Sequence, residues 1–409
     1  MAPDMAVATP LAASGRAEPA LLEWLLREGP RIESPGELLF ELCNRLLAAG
    51  VPLMRATCTV RTLHPTLIGT TMIWRKGEDW PTEIGLLHGI EETQQFKESP
   101  LPAIYEGAAA IRRRLDIPGA VLDYPILADL KAEGATDYVA LPLVFSDGLI
   151  NFLTWTSDRP GGFTTQHLKV LYDLMPVLAL VLETRARQVM TTTLLTTYLG
   201  GDAGRRVLEG AIRRGNGETI RAVIWLCDLR GFTAMSDALP RDTLIAVLND
   251  YFERMVLAVE GQGGEVLKFM GDGLLAIFPI DGEAKHAATA ALAAAADAQT
   301  RMARLAEERR AKGKAELRFG LALHVGDLIY GNIGSRRRLD FTVIGPSVNM
   351  ASRIEALTKV LRRAVLASAE FAEVYQGPLT SLGFHVLRGF TEPVEIFTLP
   401  EDVPEPGYG

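Results

Sequence analysis

Ala222-Val223-Ile224-Trp225-Leu226-Cys227-Asp228-Leu229-Arg230-Gly231-Phe232-Thr233 is the stretch on which the fold of the C-terminal half turns. Its apolar run reads as a strand, and the run ends on a carboxylate, which leaves the core edge and faces a cleft. Downstream, Gly271-Asp272-Gly273 stands between two further strand-like runs, 265–269 and 274–278, and reads as the turn of a hairpin. A helical stretch, 241–260, separates the first strand from the hairpin, and a long Ala-rich helix, 283–312, follows it. Strands at 317–324 and 339–344 and a helix beginning at Pro346 complete the rhythm. The order β-α-β-β-α-β predicts an α+β domain with a ferredoxin-like sheet and helices on one face.

Adjacent strands of such a sheet would bring Asp228 and Asp272 together. Two carboxylates on neighbouring strand ends suit a pair of hard divalent cations, which take oxygen ligands and keep places open for phosphate oxygens. Alone, Asp272 is more simply an ordinary Asp-Gly turn; the pairing with Asp228 makes metal binding the better reading.

Two more blocks extend the pattern. Lys268-Phe269-Met270 leads into the Gly271-Asp272-Gly273 turn, and Asp340-Phe341-Thr342-Val343-Ile344-Gly345 runs on to Val348-Asn349-Met350-Ala351-Ser352-Arg353. With 225–233, these blocks resemble the catalytic domain of class III nucleotidyl cyclases, over about 219–399. The resemblance implies conversion of a nucleoside triphosphate into its 3′,5′-cyclic monophosphate and pyrophosphate. It also implies a head-to-tail homodimer in which Asp228 and Asp272 of one chain face Lys268, Thr342, Asn349 and Arg353 of the other. This chain holds both sets.

The chemistry of each residue fits that frame. Two ions, Mg²⁺ or Mn²⁺, bridged by Asp228 and Asp272 would activate the ribose 3′-OH and neutralise the triphosphate for in-line attack on the α-phosphorus. Backbone N–H groups around Gly231, Phe232 and Thr233, at a helix entrance, are suited to phosphate oxygens; Arg230 reads as a structural or surface residue. The Lys268 ammonium only donates, which suits adenine N1, whereas the family's guanylyl members resemble one another in having Glu there. Thr342 matches the second base-reading position, in the adenylyl subgroup with Thr or Ser, and its hydroxyl suits adenine N6. Asn349 and Arg353 share a helix face, the one to orient the ribose and the other to stabilise charge on the α-phosphoryl oxygens. Apart from the motif, Arg353 would read as an exposed residue paired with Glu355 or a neighbouring acid. Phe390 stands where some members have a triphosphate-binding Lys, so other cations must take that part, and Arg388 nearby has no assigned direction. Arg336-Arg337-Arg338 resembles the family's dimer arm and equally a solvated turn. The expected activity is that of an adenylate cyclase; a guanylate cyclase and a non-catalytic nucleotide-binding homologue serving as a signalling or dimer module are the alternatives.

Length and composition frame the rest. The 409 residues suit two or three domains, with 48% hydrophobic and 22% charged residues, and 42 Lys plus Arg against 50 Asp plus Glu give a net charge of −8. That balance argues against a nucleic-acid partner. Cys43, Cys58 and Cys227 are too few and too scattered for a disulfide framework or zinc site, which with the lack of a secretory start points to a reducing, cytoplasmic setting. The apolar stretch 170–181, interrupted by Asp173 and Pro176, is too short for a membrane span. Residues 20–181 alternate a helix at 37–47, strands at 57–63, 70–74, 138–145 and 149–155, and a helix at 163–183, and resemble a GAF-like α+β sensor domain for an unknown small molecule; a spacer or dimerisation domain is the alternative. Residues 1–19 read as a flexible tail, 400–409 as a tail, and 182–218 as a helical linker or transducer. The seam Leu171, Met175, Leu178, Leu182, Ala186 and Val189 fits equally a two-helix coiled coil and a helix packed on its own domain.

Overall fold

The computed structural model describes residues 11–213, 215 and 217–400. They divide into two compact units at Leu194 and Leu195. The first contains α1 (Leu11–Arg27), α2 (Pro35–Ala48), β1 (Arg55–Arg61), β2 (Leu67–Arg75), β3 (Thr82–Leu87), α3 (Gln94–Lys97), α4 (Leu101–Tyr105), β4 (Ile111–Arg114), α5 (Pro125–Ala132), β5 (Asp137–Val144), β6 (Ile150–Ser157) and α6 (Thr165–Leu199), the last crossing into the second unit. The strands form one antiparallel sheet in the order β3-β2-β1-β6-β5-β4.

Strand alternation splits this sheet into two faces. Ala56, Cys58 and Val60 of β1 pack with Trp74 and Trp155 beneath α1, α2 and α6, whose Leu21, Leu42 and Leu174 close the core. Ser34 starts α2 by accepting a hydrogen bond from the Glu37 N–H at 3.0 Å, with Pro35 in the first turn. Burial pushes the Cys58 thiol up to about 12, and raises Cys43 as well, in keeping with packing residues.

Several expectations change here. Of the tail expected over 1–19, residues 1–10 and their flexibility lie outside the described residues, while from Leu11 the chain is already α1, because the burial of Leu21 and Leu25 holds that helix to the core. Residues 401–409 of the other tail also lie outside the described residues. Leu171, Met175, Leu178 and Leu182 are buried in their own unit's core, so that part of the seam is intradomain packing. The linker expected from residue 182 begins inside α6, which passes Pro176 and continues to Leu199. Among the described residues no helix is long and apolar enough to cross a membrane.

The second unit continues with α7 (Gly201–Leu208), β7 (Gly217–Leu229), α8 (Phe232–Ala238), α9 (Arg241–Glu260), β8 (Glu265–Met270), β9 (Gly273–Pro279), α10 (Ala284–Ala311), β10 (Phe319–Gly334), β11 (Leu339–Ile344), α11 (Pro346–Leu361), β12 (Val365–Ser368), α12 (Ala369–Tyr375), β13 (Thr380–His385) and β14 (Val394–Thr398). The sheet order is β13-β14-β12-β10-β7-β9-β8, with β11 paired to β10. Its β10-β7-β9-β8 portion is the ferredoxin-like core. The expected single helical face is incomplete. Val223, Trp225 and Cys227 meet α9 and α10, but Ala222, Ile224 and Leu226 on the opposite face are covered by Ala203 of α7, Ala351 of α11 and residues of β10 and β11. A run as uniformly apolar as 222–227 needs both faces covered.

Helix α11 lies close on β10 because two strand positions carry no side chain. A Cβ at Gly320 would stand 2.2 Å from Thr358 Oγ1 and 3.0 Å from Glu355 Oε1, and one at Gly326 would stand 2.2 Å from Ser347 Oγ. Gly320→Ala is therefore expected to cost about 1–3 kcal/mol through overpacking. Gly282→Ala, at a position with no atom within 4 Å of the new Cβ, should change stability by about 0.5 kcal/mol at most. Urea unfolding of the two variants checks this; equal midpoints would mean that α11 yields freely.

Candidate active site

The β7–β9 register places Gly273 opposite Asp228, which brings the preceding hairpin residue, Asp272, to the end of β7. The Leu229 N–H donates to the Asp272 carbonyl at 3.2 Å, and Gly271 turns the hairpin at a φ of 68°, a conformation that favours glycine. Burial, then the neighbouring Asp228 carboxylate, push the Asp272 carboxyl above the usual range. Asp228 shares the strand parity of Leu226, so it emerges on the face covered by α11. There Lys359 Nζ donates to Asp228 Oδ2 at 3.1 Å.

Lys359 and Glu355 are site residues that sequence reasoning missed. Glu355 is buried beside Gly320, and its Oε1 has no hydrogen-bond partner. Burial first, and the charge of Asp228 second, push its carboxyl up to about 7. Their i, i+4 spacing was the available signal, but it says nothing about which strand the helix faces. Arg230 is structural: it is buried, and its guanidinium donates to the carbonyls of Phe319, Thr358 and Arg363 at 3.2, 3.3 and 2.6 Å, tying the end of β7 to β10 and α11.

Gly231, at a φ of 73°, turns the chain into α8, whose first residues are Phe232 and Thr233. N–H groups in a first helical turn have no intrahelical acceptor. At the far edge of the sheet, Lys268 follows a β-bulge in β8, and its Nζ lies 3.3 Å from Asp340 Oδ2. Asp340 was not singled out from the sequence. Thr342, two residues along β11, therefore shares the face of Asp340; its Oγ1 is buried without a hydrogen-bond partner. Lys268 and Asp340 thus form a polar pair, and Thr342 on the same face of β11 keeps an unused hydroxyl.

Asn349 and Arg353 lie on one side of α11, and both are exposed. Of the acids that were the plain alternative partners of Arg353, Glu355 is buried against the sheet. Six residues separate Arg353 from Lys359, a rotation of about 240° around the helix and a rise of about 9 Å. Arg353 therefore projects about 120° around α11 from the residue that meets Asp228. Phe390 packs against the apolar cluster of Ile354, Leu366 and Ile396, while Arg388 is exposed. Arg336, Arg337 and Arg338 form an exposed turn between β10 and β11, where Ser335 Oγ accepts from the N–H groups of Arg337 and Arg338 at 3.2 and 3.0 Å.

The donor set fits hard cations. Among the described residues no cluster of three or more His, Cys, Asp or Glu could hold a metal, so Asp228 and Asp272 would be the carboxylate ligands and remaining oxygens would come from phosphate, water or backbone. A divalent ion held by both would relieve their mutual repulsion.

The family described as "Adenylate and Guanylate cyclase catalytic domain" matches residues 218–385. An adenylate cyclase of Anabaena cylindrica is 38% identical over 152 residues, covering 36% of this chain and 29% of that protein. Adenylate cyclase 1 of Rhizobium meliloti is 32% identical over 145 residues, covering 34% and 21%. The chain thus spans less than a third of either relative. The crystal structure of the adenylyl cyclase CyaB from P. aeruginosa aligns at 28% identity with a TM-score of 0.42, covering 47% of this chain and 97% of that one.

Lys359 holds a carboxylate oxygen of Asp228 that a cation would use. Lys359→Met should tighten nucleotide-free Mn²⁺ binding by about 3- to 10-fold, since a competing positive charge is removed. Electron paramagnetic resonance of free Mn²⁺ measures it, and unchanged or weaker affinity would place Lys359 clear of the ion.

Proposed function

We propose that the chain converts ATP into 3′,5′-cyclic AMP and pyrophosphate, a reading supported by the match of residues 218–385 to the adenylate and guanylate cyclase catalytic-domain family. The observation that carries the choice of base is the Lys268–Asp340 pair with Thr342 on the same face of β11. Asp340 steadies an ammonium that can donate to adenine N1, and the unpartnered Thr342 hydroxyl can accept from adenine N6. Guanine presents donors at N1 and N2, so Lys268 would oppose it.

Asp228 and Asp272 would hold the divalent ions, Mg²⁺ or Mn²⁺ at two per site, which when bound would lower the pKa of the ribose 3′-OH and neutralise the triphosphate charge. The chain's own residues do the positioning. The N–H groups entering α8 at Gly231, Phe232 and Thr233 receive phosphate oxygens. Arg353 stabilises charge developing on the α-phosphoryl oxygens, and Asn349 orients the ribose. With Phe390 packed against the apolar cluster, the exposed Lys359 of α11 would supply a cation on the metal side.

The sites are shared between two copies. The divergence of Lys359 and Arg353, about 120° apart around α11, supports this reading, because the exposed Arg353 is turned away from the Lys359–Asp228 contact and is left to complete a partner's site. The N-terminal unit is the regulatory domain. A signal there must favour one arrangement of the dimer over another to change activity.

Purified full-length protein given ATP or GTP with Mg²⁺ or Mn²⁺ should release cyclic AMP in preference to cyclic GMP, read by chromatography. Lys268→Glu should lower ATP turnover about 10-fold or more, the scale of one lost charged hydrogen bond, and narrow the preference over GTP. No cyclic AMP with either metal would remove the proposal. Asp228→Ala and Arg353→Ala proteins should each lose about 100-fold or more of the activity and regain a fraction when mixed; no recovery at any ratio would show that each chain holds its own complete site.

A further inference from the structure

A cavity of about 880 Å³ lies in the N-terminal unit, on the sheet face turned away from α1, α2 and α6. That volume is typical of small-molecule sites. Its floor departs from what a covered sheet face needs. On β1, Ala56, Cys58 and Val60 enter the core, whereas Arg55, Thr57, Thr59 and Arg61 line the cavity. The antiparallel register adds Thr71 beside Thr59, and Thr154 and Thr156 beside Thr57 and Arg55. Ile73, Phe96 and Phe152 supply an apolar surface to the same space. Two charged ends and a row of hydroxyls would weaken a core, so this wall is arranged for something other than packing.

Arg55 says what that is. Its Nε is buried without a hydrogen-bond partner, and among the described residues it forms no ion pair. Directly across the strand pair stands Arg75, a like charge, which together with burial disfavours the Arg55 cation. Glu133 is the one carboxylate whose charge favours it, without contact. Three more acids, Glu91, Glu98 and Asp129, border the cavity, all exposed to solvent. Arg61 is placed differently: it lies over the Tyr105 ring, 5.8 Å from its centroid. It is also about 20 Å along the strand from Arg55, too far to share one acid group. A guanidinium with an unused, forked donor set and no counterion is complementary to a carboxylate or sulfonate.

We propose that this cavity binds an organic anion, its acid group on the Arg55 guanidinium, its polar atoms on Thr57 and Thr156, and its apolar body against Ile73, Phe96 and Phe152. The site belongs to the N-terminal unit alone and does not depend on the catalytic reading.

The probe is 8-anilinonaphthalene-1-sulfonate, an aromatic sulfonate that fluoresces on leaving water, titrated into the full-length protein. Saturable binding at one site per chain is expected, displaced by decanoate at least 10-fold more effectively than by decanol. Arg55→Met should weaken the sulfonate and decanoate at least 10-fold while leaving decanol within 3-fold. Because that substitution removes a half-buried cation without a counterion, its unfolding temperature should be equal or higher, which separates a lost ligand from a lost fold. Thr57→Val should weaken the sulfonate a few-fold. Absence of saturable binding, equal displacement by decanol, or binding unaffected by Arg55→Met in a folded protein would each overturn the assignment.

Discussion

Two like charges held together by strand pairing are the constraint around which the catalytic unit is built. Asp228 and Asp272 are near one another because β7 and β9 are hydrogen-bonded in a register that allows no other position. The repulsion is sustained by the apolar residues that precede it, since shifting the register by one residue would turn Trp225 and its neighbours onto the wrong face. The surrounding groups answer to that charge. Lys359 contacts Asp228, Glu355 is raised toward neutrality, and Arg230 fastens the strand end to three carbonyls so that the pair cannot separate by fraying.

The N-terminal sheet solves a different problem with the same alternation. One face is apolar and covered by three helices; the other faces a cavity, and its central strand carries Arg-x-Thr-x-Thr-x-Arg. Alternation lets one strand serve a core and a binding surface at once, because neighbouring residues do not share an environment.

Much of this was legible before the structure. The run 222–227, the Gly271-Asp272-Gly273 hairpin and the Ala-rich helix are local patterns, and local patterns survive folding. Asp228 and Asp272 could be paired from the sequence because strand ends joined through a hairpin have few places to go. Lys359, Glu355 and Asp340 could not, since each depends on the phase of one element against another. The rotation of α11 is set by Gly320 and Gly326, which as sequence look like ordinary strand glycines. The coverage of the second sheet face depended in the same way on α7 and α11 returning to it. The seam at 171–182 was ambiguous because a helix that packs on its own sheet and one that packs on a copy need the same apolar spacing; burial of Leu171 and Leu178 in the core decides it.

Gly320 stands opposite Asp228 in the β7–β10 register and touches α11 where Glu355 and Thr358 lie. Helices usually rest on sheets through a layer of methyl and methylene groups, which can shift rotamers and absorb a displacement. At this point the layer is missing. The contact has the mechanics of a hard bearing, not of a spring: a push on α11 of a few tenths of an ångström reaches the Lys359–Asp228 pair with nothing between to take up the slack.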